Sequence, residues 1–266
     1  TLKYWFTLNL NIIKCGNFVL IKMCGKEIAH FHPFDVLTHV GPRLIPFFKT
    51  VVIYFVAWLP AETPSLFAAA LKCLPICCLM GFVISQGLSL QKEHFYRQRI
   101  FIGLLFSCFG DALLIWGETY FLQAMGAFAI AHLAYISAFG FSSYRWLKGI
   151  PFFGMVLISL YLFYPRLQGL LLPCVCVYVW LICSMGWRAF AAIDILGNVW
   201  SWTSLCGVLG ATFFMLSDFI IGFDKFVAPV PISRLLIMSS YYIAQLFMAM
   251  SAVNKTNIRI RMKKNN

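Results

Sequence analysis

A chain of 266 residues that is 61% hydrophobic and only 11% charged is not composed like a soluble domain, in which about 25% of residues are charged. Its mean hydropathy of +0.83 indicates a polytopic membrane protein. The formal net charge of +12 does not predict nucleic-acid binding, because the basic residues lie in short loops and tails beside apolar runs, where they set topology.

The ten cysteines lie mostly within or beside the apolar segments. Their spacing contains neither a Cys-x-x-Cys pair nor a zinc-ligand pattern. Cysteine inside a membrane normally behaves as a small hydrophobic residue. The sequence therefore predicts no disulfide framework and no metal site.

Residues 1–40 differ from the rest of the chain. The apolar stretch Leu8–Ile21 is interrupted by three asparagines and a lysine, and it lacks the length of a membrane span. No small-residue cleavage site of a signal peptide follows it. We expect residues 1–40 to be disordered or artefactual, with Met23 as the true start and the part before it a fragment or translation artefact. We assign them no function.

Eight apolar runs follow, each long enough or nearly long enough to cross a hydrocarbon core, which takes about 17–25 residues. They are Leu44–Leu59, Ser65–Gln86, Gln98–Trp116, Tyr120–Phe141, Ile150–Tyr164, Gly169–Trp187, Trp202–Phe223 and Leu235–Val253. Prolines, glycines and short polar stretches separate them. The sequence therefore predicts an all-α integral membrane domain of eight transmembrane helices over residues 41–254, followed by a basic cytoplasmic tail at residues 255–266.

The loop cations predict the orientation of these spans. Most Lys and Arg residues lie in the N-terminal segment, the C-terminal tail and the loops at the same set of helix ends, whereas the opposite ends carry Arg166, Lys225 and Arg234. Cytoplasmic loops are enriched in Lys and Arg. Eight spans with both termini in the cytoplasm put the basic set on the cytoplasmic side at every even-numbered loop.

Two acids stand inside apolar runs: Asp111 in GLLFSCFGDALLIW and Asp218 in GATFFMLSDFIIGF. An acid at the centre of a transmembrane helix costs roughly 2.5–3.5 kcal/mol on insertion scales, so one that is kept there is a functional candidate. When the two segments are aligned on the Asp, three preceding positions carry similar residues. The pairs are Gly110 and Ser217, Phe106 and Phe213, and Gly103 and Gly210.

The two acids are separated by four spans, so they lie on helices that run in the same direction, at similar depth. Together with the matched positions, this predicts two four-helix halves related by a parallel repeat. The alternative is that each Asp only fixes helix register by pairing with a lysine. Lys49 and Lys72 are the cations inside the spans that could balance the two acids.

Two further groups of polar residues lie inside the spans. His132 and Tyr135 in AHLAYISAFGF are one helical turn apart and face the same way, and Tyr241, Tyr242 and Gln245 in SSYYIAQLF form a polar strip. A buried histidine often makes only a structural hydrogen bond, and a polar strip often only joins helices. For both groups, a functional role and a structural role stay open at this point.

An ordered set of segments carries a family resemblance: LKCLPICCL, GLLFSCFGDALLIW, MGAFAIAHLAYISAFGF, MGWRAF, ATFFMLSDFIIGFDKF and MSSYYIAQLFMAMSAV. In this order they resemble the YhhN-type membrane lysoplasmalogenase family. The segment PRLIPFFKTVVIYFVAWLP is most similar to the animal members of the endoplasmic reticulum membrane. The resemblance runs from about Pro42 to Val253, so residues 1–40 lie outside it.

The resemblance implies an eight-span membrane hydrolase that acts on lysophospholipids within the bilayer, without metal, cofactor or nucleic acid. Such an enzyme cleaves the vinyl ether of a lysoplasmalogen to a fatty aldehyde and glycerophospho-ethanolamine or glycerophospho-choline. The two essential acids of the family match Asp111 and Asp218 as catalytic residues. Its basic and polar pocket positions, implied as substrate-binding, match Lys72, His132, Tyr135, Lys225, Tyr242 and Gln245.

The chemistry that the resemblance implies suits a pair of carboxyl groups. Protonation of the outer vinyl carbon gives an oxocarbenium ion, water adds to it, and the hemiacetal collapses to aldehyde and alcohol. One acid must be protonated near neutral pH, and a second carboxylate must stay ionised to draw a proton from water. Analogy slightly favours Asp111 as the acid and Asp218 as the base, and the roles stay open.

Two other classes of function use the same residues differently. A proton-coupled transporter or lipid scramblase could use the two acids as a relay, since a repeat with polar groups near the midplane also suits transport. A scaffold protein would use its buried ions only to fix packing. Release of aldehyde in detergent, where no gradient exists, separates an enzyme from a transporter.

Overall fold

The computed structural model describes residues 11–15, 18–23, 26–29, 33–60, 64–89, 91, 94–141, 145–193 and 202–253. The chain divides into two compact units, Thr1–Pro42 and Arg43–Asn266. The first unit contains three short strands, β1 (Asn11–Cys15), β2 (Phe18–Met23) and β3 (Lys26–Ala29). They form an antiparallel sheet in the order β1-β2-β3. The expectation that residues 1–40 are disordered or artefactual stays a prediction.

Eight α-helices follow in the described part of the chain. They are α1 (Pro33–Ala57), α2 (Leu66–Ser85), α3 (Phe95–Leu114), α4 (Gly117–Phe139), α5 (Ile150–Phe163), α6 (Leu171–Ala191), α7 (Trp202–Phe226) and α8 (Ser233–Ser251). Each coincides with one predicted apolar run. The all-α prediction is therefore confirmed for the membrane domain, and α5 is extended by short 3-10 turns at Trp146–Gly149 and Tyr164–Arg166.

Six of the helical segments are long and apolar enough to cross a membrane. They lie in α1, α2, α4, α5 with its flanking turns, α6 and α7. The other two helices, α3 and α8, are less apolar than these six. Helix α3 carries Arg97, Arg99 and Asp111, and α8 carries the polar strip from Ser239 to Gln245. The chain is thus an integral membrane protein, while the eight-span arrangement and its orientation stay predictions at this point.

The outer surface of the helices is apolar, as expected where lipid replaces water. Val56, Leu66, Leu157 and Tyr161 are 70–81% exposed. Polar residues are instead found in the interior, where Ser107, His132 and Gln245 are completely buried. This distribution is the reverse of that in a soluble protein and agrees with a membrane environment.

The most extensive helix pairs in the described residues are α3 with α4 and α7 with α8. A glycine permits each close approach. A Cβ atom at Gly103 would overlap the ring of Tyr135 on α4, and one at Gly210 would lie 3.0 Å from the backbone nitrogen of Met248 on α8. The two glycines that precede the acids at the same spacing therefore serve the same purpose in both pairs.

Candidate active site

Asp111 lies near the end of α3 and is buried inside the protein, with only 2% of its surface exposed. Lys72 from α2 brings Nζ to 3.3 Å from Oδ1, and the Tyr241 hydroxyl from α8 donates a 2.6 Å hydrogen bond to Oδ2. A buried carboxylate needs this combination of an opposite charge and a hydrogen-bond donor. Lys72 and Tyr241 therefore offset part of the cost of burying the Asp111 carboxyl group.

Asp218 on α7 has different partners. The Tyr178 hydroxyl from α6 donates a short hydrogen bond to Oδ2, and Nε2 of His132 from α4 lies 3.5 Å from the same oxygen. His132 Nε2 is also 3.1 Å from the Tyr178 oxygen. Within the described residues, no Lys or Arg pairs with Asp218 and no group bonds to its Oδ1. This oxygen is free to meet a ligand.

An apolar cavity of about 550 Å³ opens beside Asp218, between α4, α5, α6 and α7. Its volume lies in the range of about 300–1,000 Å³ that is typical of small-molecule sites. Asp218 and Tyr178 are among its few polar lining residues, and Phe, Met, Leu, Ile and Val side chains form most of the wall. The lining follows α7 from Thr212 to Phe226, which is about 21 Å of helix. A long hydrocarbon chain fits such a cavity.

Lys225 marks one end of this cavity. The residue is exposed, and its Nζ lies 4.4 Å from the centre of the Phe121 ring. Phe121 and Phe226 both line the cavity. Lys225 follows Asp218 by two helical turns, about 10 Å along α7. A cation therefore stands beside part of the wall of an apolar cavity that also carries a carboxyl group.

Of the other predicted pocket residues, Lys72, Tyr135, Tyr242 and Gln245 lie in the interior around Asp111, and His132 lies beside Asp218. None of these residues, and not Lys225 either, is among those that line the cavity. Lys72 pairs with Asp111, and its backbone carbonyl accepts a 3.0 Å hydrogen bond from the Tyr242 hydroxyl. The Tyr135 hydroxyl donates a 2.9 Å hydrogen bond to Oε1 of Gln245. Binding of substrate by these residues stays a prediction.

One aromatic ring packs against both the side chains around Asp111 and those around Asp218. The Phe214 ring on α7 is completely buried. Its centre lies 4.8 Å from that of His132, which contacts Asp218, and 5.5 Å from that of Tyr241, which contacts Asp111. The two carboxyl groups thus belong to neighbouring clusters, with Asp218 at the cavity and Asp111 behind it.

The two acids are contacted by corresponding helices. Each acid is contacted by the helix that precedes its own helix in the chain: Asp111 by Lys72 of α2, and Asp218 by Tyr178 of α6. These partners precede their acids by 39 and 40 residues. Each acid is also contacted from the opposite helix pair, by α8 and by α4 respectively. The matched positions in the sequence correspond to matched contacts in space.

The predicted lysine partner of Asp218 was wrong, and its partner Tyr178 was not predicted. It offered two lysines for the two acids, but Lys49 is exposed on α1, and Asp218 is paired with His132. Tyr178 was not singled out, because one tyrosine in the apolar run CVCVYVWLICS gives no signal. Extending the proposed repeat to α2 and α6 at the same offset would have aligned Lys72 with Val179, the residue after Tyr178.

Comparison with known proteins shows a match to one protein family and similarity to several of its relatives. Residues 67–252 match the YhhN family. Lysoplasmalogenase TMEM86A of Bos taurus is 47% identical over 225 residues, covering 83% of this chain and 92% of the relative. The Homo sapiens TMEM86A is 45% identical, with 83% and 92% covered, and the Homo sapiens lysoplasmalogenase TMEM86B is 36% identical, with 79% and 86% covered. No solved structure matches the chain significantly.

Proposed function

The chain belongs to the YhhN family, and on this premise we propose that it is a lysoplasmalogenase. It hydrolyses the vinyl ether of lysoplasmalogens to a fatty aldehyde and glycerophospho-ethanolamine or glycerophospho-choline. The names of its relatives support this activity. The observation that carries the proposal is the carboxyl group of Asp218 on the wall of an apolar cavity large enough for an alkenyl chain.

The cavity suggests how the substrate is held. The alkenyl chain lies along the apolar wall, the vinyl ether reaches Asp218, and the phosphate of the head group lies at the end marked by Lys225. About 10 Å separates Asp218 from Lys225 along the helix, which leaves room for the glycerol unit between the vinyl ether and the phosphate.

The partners of the acids support a division of roles. Asp218 lines the apolar cavity, whereas Asp111 lies behind it and pairs with Lys72. Asp218 therefore gives its proton to the outer vinyl carbon, and the resulting oxocarbenium ion takes up water. Asp111 is the carboxylate that accepts the proton lost by this water. This assignment is the opposite of the one that analogy slightly favoured.

The remaining steps need only the groups already described. Water adds to the carbon that bears the ether oxygen, and loss of one proton gives a neutral hemiacetal. The hemiacetal then breaks its bond to the glycerol oxygen, which is protonated as it leaves, and the aldehyde is formed. The products carry one more water than the substrate, and the enzyme ends with the same number of protons as it began.

We also propose an eight-span arrangement with both termini cytoplasmic, in two four-helix halves, in the endoplasmic reticulum membrane. Ser107 and Asp111 on α3 and Tyr241, Tyr242 and Gln245 on α8 are buried in the protein interior, so the lower hydropathy of these helices is compatible with spanning. The matched contacts of Asp111 and Asp218 support two related halves. The distribution of loop cations supports the orientation.

Purified protein in detergent provides the test. Incubation with 1-alkenyl-lysophosphoethanolamine is expected to release fatty aldehyde, while the matching 1-acyl lipid, which lacks the vinyl ether, is expected to release none. A transporter or scramblase would leave both lipids intact, since no gradient exists in detergent. Absence of aldehyde from a folded protein would rule out the proposed activity.

A further inference from the structure

Three buried polar atoms near the two acids have no hydrogen-bond partner within the described residues. They are Oγ of Ser107, Nε2 of Gln245 and Nδ1 of His132. Each of these residues is completely buried. Buried polar groups are almost always paired, with protein or with an ordered water, so three unpaired atoms in one region require an explanation.

Ser107 and Gln245 lie in one cluster beside Asp111. Ser107 is one helical turn before Asp111 on α3, and Gln245 is one turn after Tyr241 on α8. Both side chains lie next to the hydroxyl group of Tyr135, which donates to Gln245 Oε1. Gly103 makes this possible, because any side chain there would overlap the Tyr135 ring.

The hydrogen-bonding capacity of this cluster suits water. The proton of Tyr135 is committed to Gln245 Oε1, and Nε2 of Gln245 has no hydrogen-bond partner in the described residues. Ser107 can both donate and accept. Interchanging the two ends of the amide would leave Oε1 unpaired instead, so the conclusion does not depend on the amide orientation.

His132 connects this cluster to the other acid. Its Nε2 lies at Asp218 and Tyr178, while its Nδ1 is the unpaired atom. On α4 it is one turn before Tyr135. An imidazole can take up a proton on one nitrogen and release one from the other.

We propose that Ser107, Gln245 and His132 bind water in the interior between α3, α4 and α8, and that this water links Asp111 to Asp218 through His132. The role of the link rests on the proposed function. The proton lost by the adding water leaves the cavity through the Tyr178 hydroxyl, which lies on the cavity wall 3.1 Å from His132 Nε2. His132 then releases a proton at Nδ1, and the bound water delivers it to Asp111. The reverse transfer returns a proton to Asp218 before the next turnover.

This arrangement explains how two acids that do not share a cavity serve one reaction. The lipid occupies the apolar cavity at Asp218, and water is held in a separate polar site at Asp111. Ser107 and Gln245 are positioning residues, since they act through the water and do not touch the substrate.

The test combines a structure and kinetics of the full-length protein. A high-resolution structure in lipid nanodiscs is expected to contain water density within hydrogen-bonding distance of Ser107 Oγ and Gln245 Nε2. Ser107→Ala and Gln245→Met are expected to lower kcat about tenfold or more with KM unchanged. Ser240→Ala is the matched control, because Ser240 is buried on α8 but bonds only to carbonyls of its own helix, and it is expected to keep full kcat.

The outcomes separate this inference from the proposed activity. Well-ordered Ser107 and Gln245 side chains without water density would overturn it, and so would full kcat in the folded Ser107→Ala protein. A wild-type protein that releases no aldehyde but contains the water would overturn the activity and leave the water site standing.

Discussion

Lys72 Nζ lies 3.3 Å from Oδ1 of Asp111, and both side chains are almost completely buried. Asp218, on the matching helix of the other half, faces Tyr178 and His132 in the corresponding positions. The two acids therefore differ in their partners and in their access to the cavity, which Asp218 lines and Asp111 does not, although their helices and sequence contexts are similar. This difference is the basis for the different roles that we propose for the two acids.

Asp218→Asn is expected to reduce aldehyde release by about 10²-fold or more, because an amide cannot give a proton to the vinyl carbon. The measurement is kcat with 1-alkenyl-lysophosphoethanolamine in detergent. Asp224→Asn is the matched control on the same helix, since Asp224 accepts a hydrogen bond from the Val230 backbone outside the cavity. Near-normal kcat in folded Asp218→Asn protein would contradict a catalytic role for this acid.

Lys72→Met is expected to destabilise the protein by about 3–5 kcal/mol, because it leaves the Asp111 carboxylate buried without its counter-charge. The combined change Lys72→Met with Asp111→Leu is expected to recover most of the stability while abolishing activity. Thermal unfolding and aldehyde release of both variants provide the measurement. Retention of activity in the stable double variant would support a purely structural ion pair.

Tyr178→Phe is expected to lower kcat about tenfold with little change in KM. The variant keeps the ring on the cavity wall but removes the hydroxyl that donates to Asp218 and contacts His132. Tyr161→Phe makes the same chemical change at an exposed site on α5 and is expected to behave like the wild type. Equal kcat in the two variants would show that the Tyr178 hydroxyl has no part in the reaction.

Lys225→Met is expected to raise KM several-fold with kcat nearly unchanged, because under the proposed binding mode the cation beside the cavity contacts phosphate equally in the ground state and the transition state. Lys225→Arg retains the charge and is expected to stay close to wild type. Lys49→Met, which removes an exposed cation on α1, is the control. An unchanged KM in Lys225→Met would place the head group elsewhere.

The helices could be predicted from the sequence because hydropathy is a local property. Each of the eight apolar runs became a helix, and only the ends moved by several residues, as for α1, which begins at Pro33. The acids could be identified in the same way, since the cost of a charge in an apolar run is visible without knowledge of its neighbours.

The partners of the acids could not be predicted in this way. Tyr178 is one tyrosine in an apolar helix, and His132 could equally have been a structural residue or part of the pocket wall. Lys49 and Lys72 looked equivalent in the sequence, but one is exposed and the other is buried against Asp111. Their difference depends on the rotation of each helix about its axis.

The sequence by itself determined that this is a membrane protein with two acids on matching helices, because hydropathy, spacing and the presence of a charge in an apolar run follow directly from the order of residues. Only the tertiary structure decided that Asp218 faces the apolar cavity and that Asp111 lies behind it with Lys72. The physical reason is that these positions are set by packing between helices whose contacting residues are 39 to 130 positions apart.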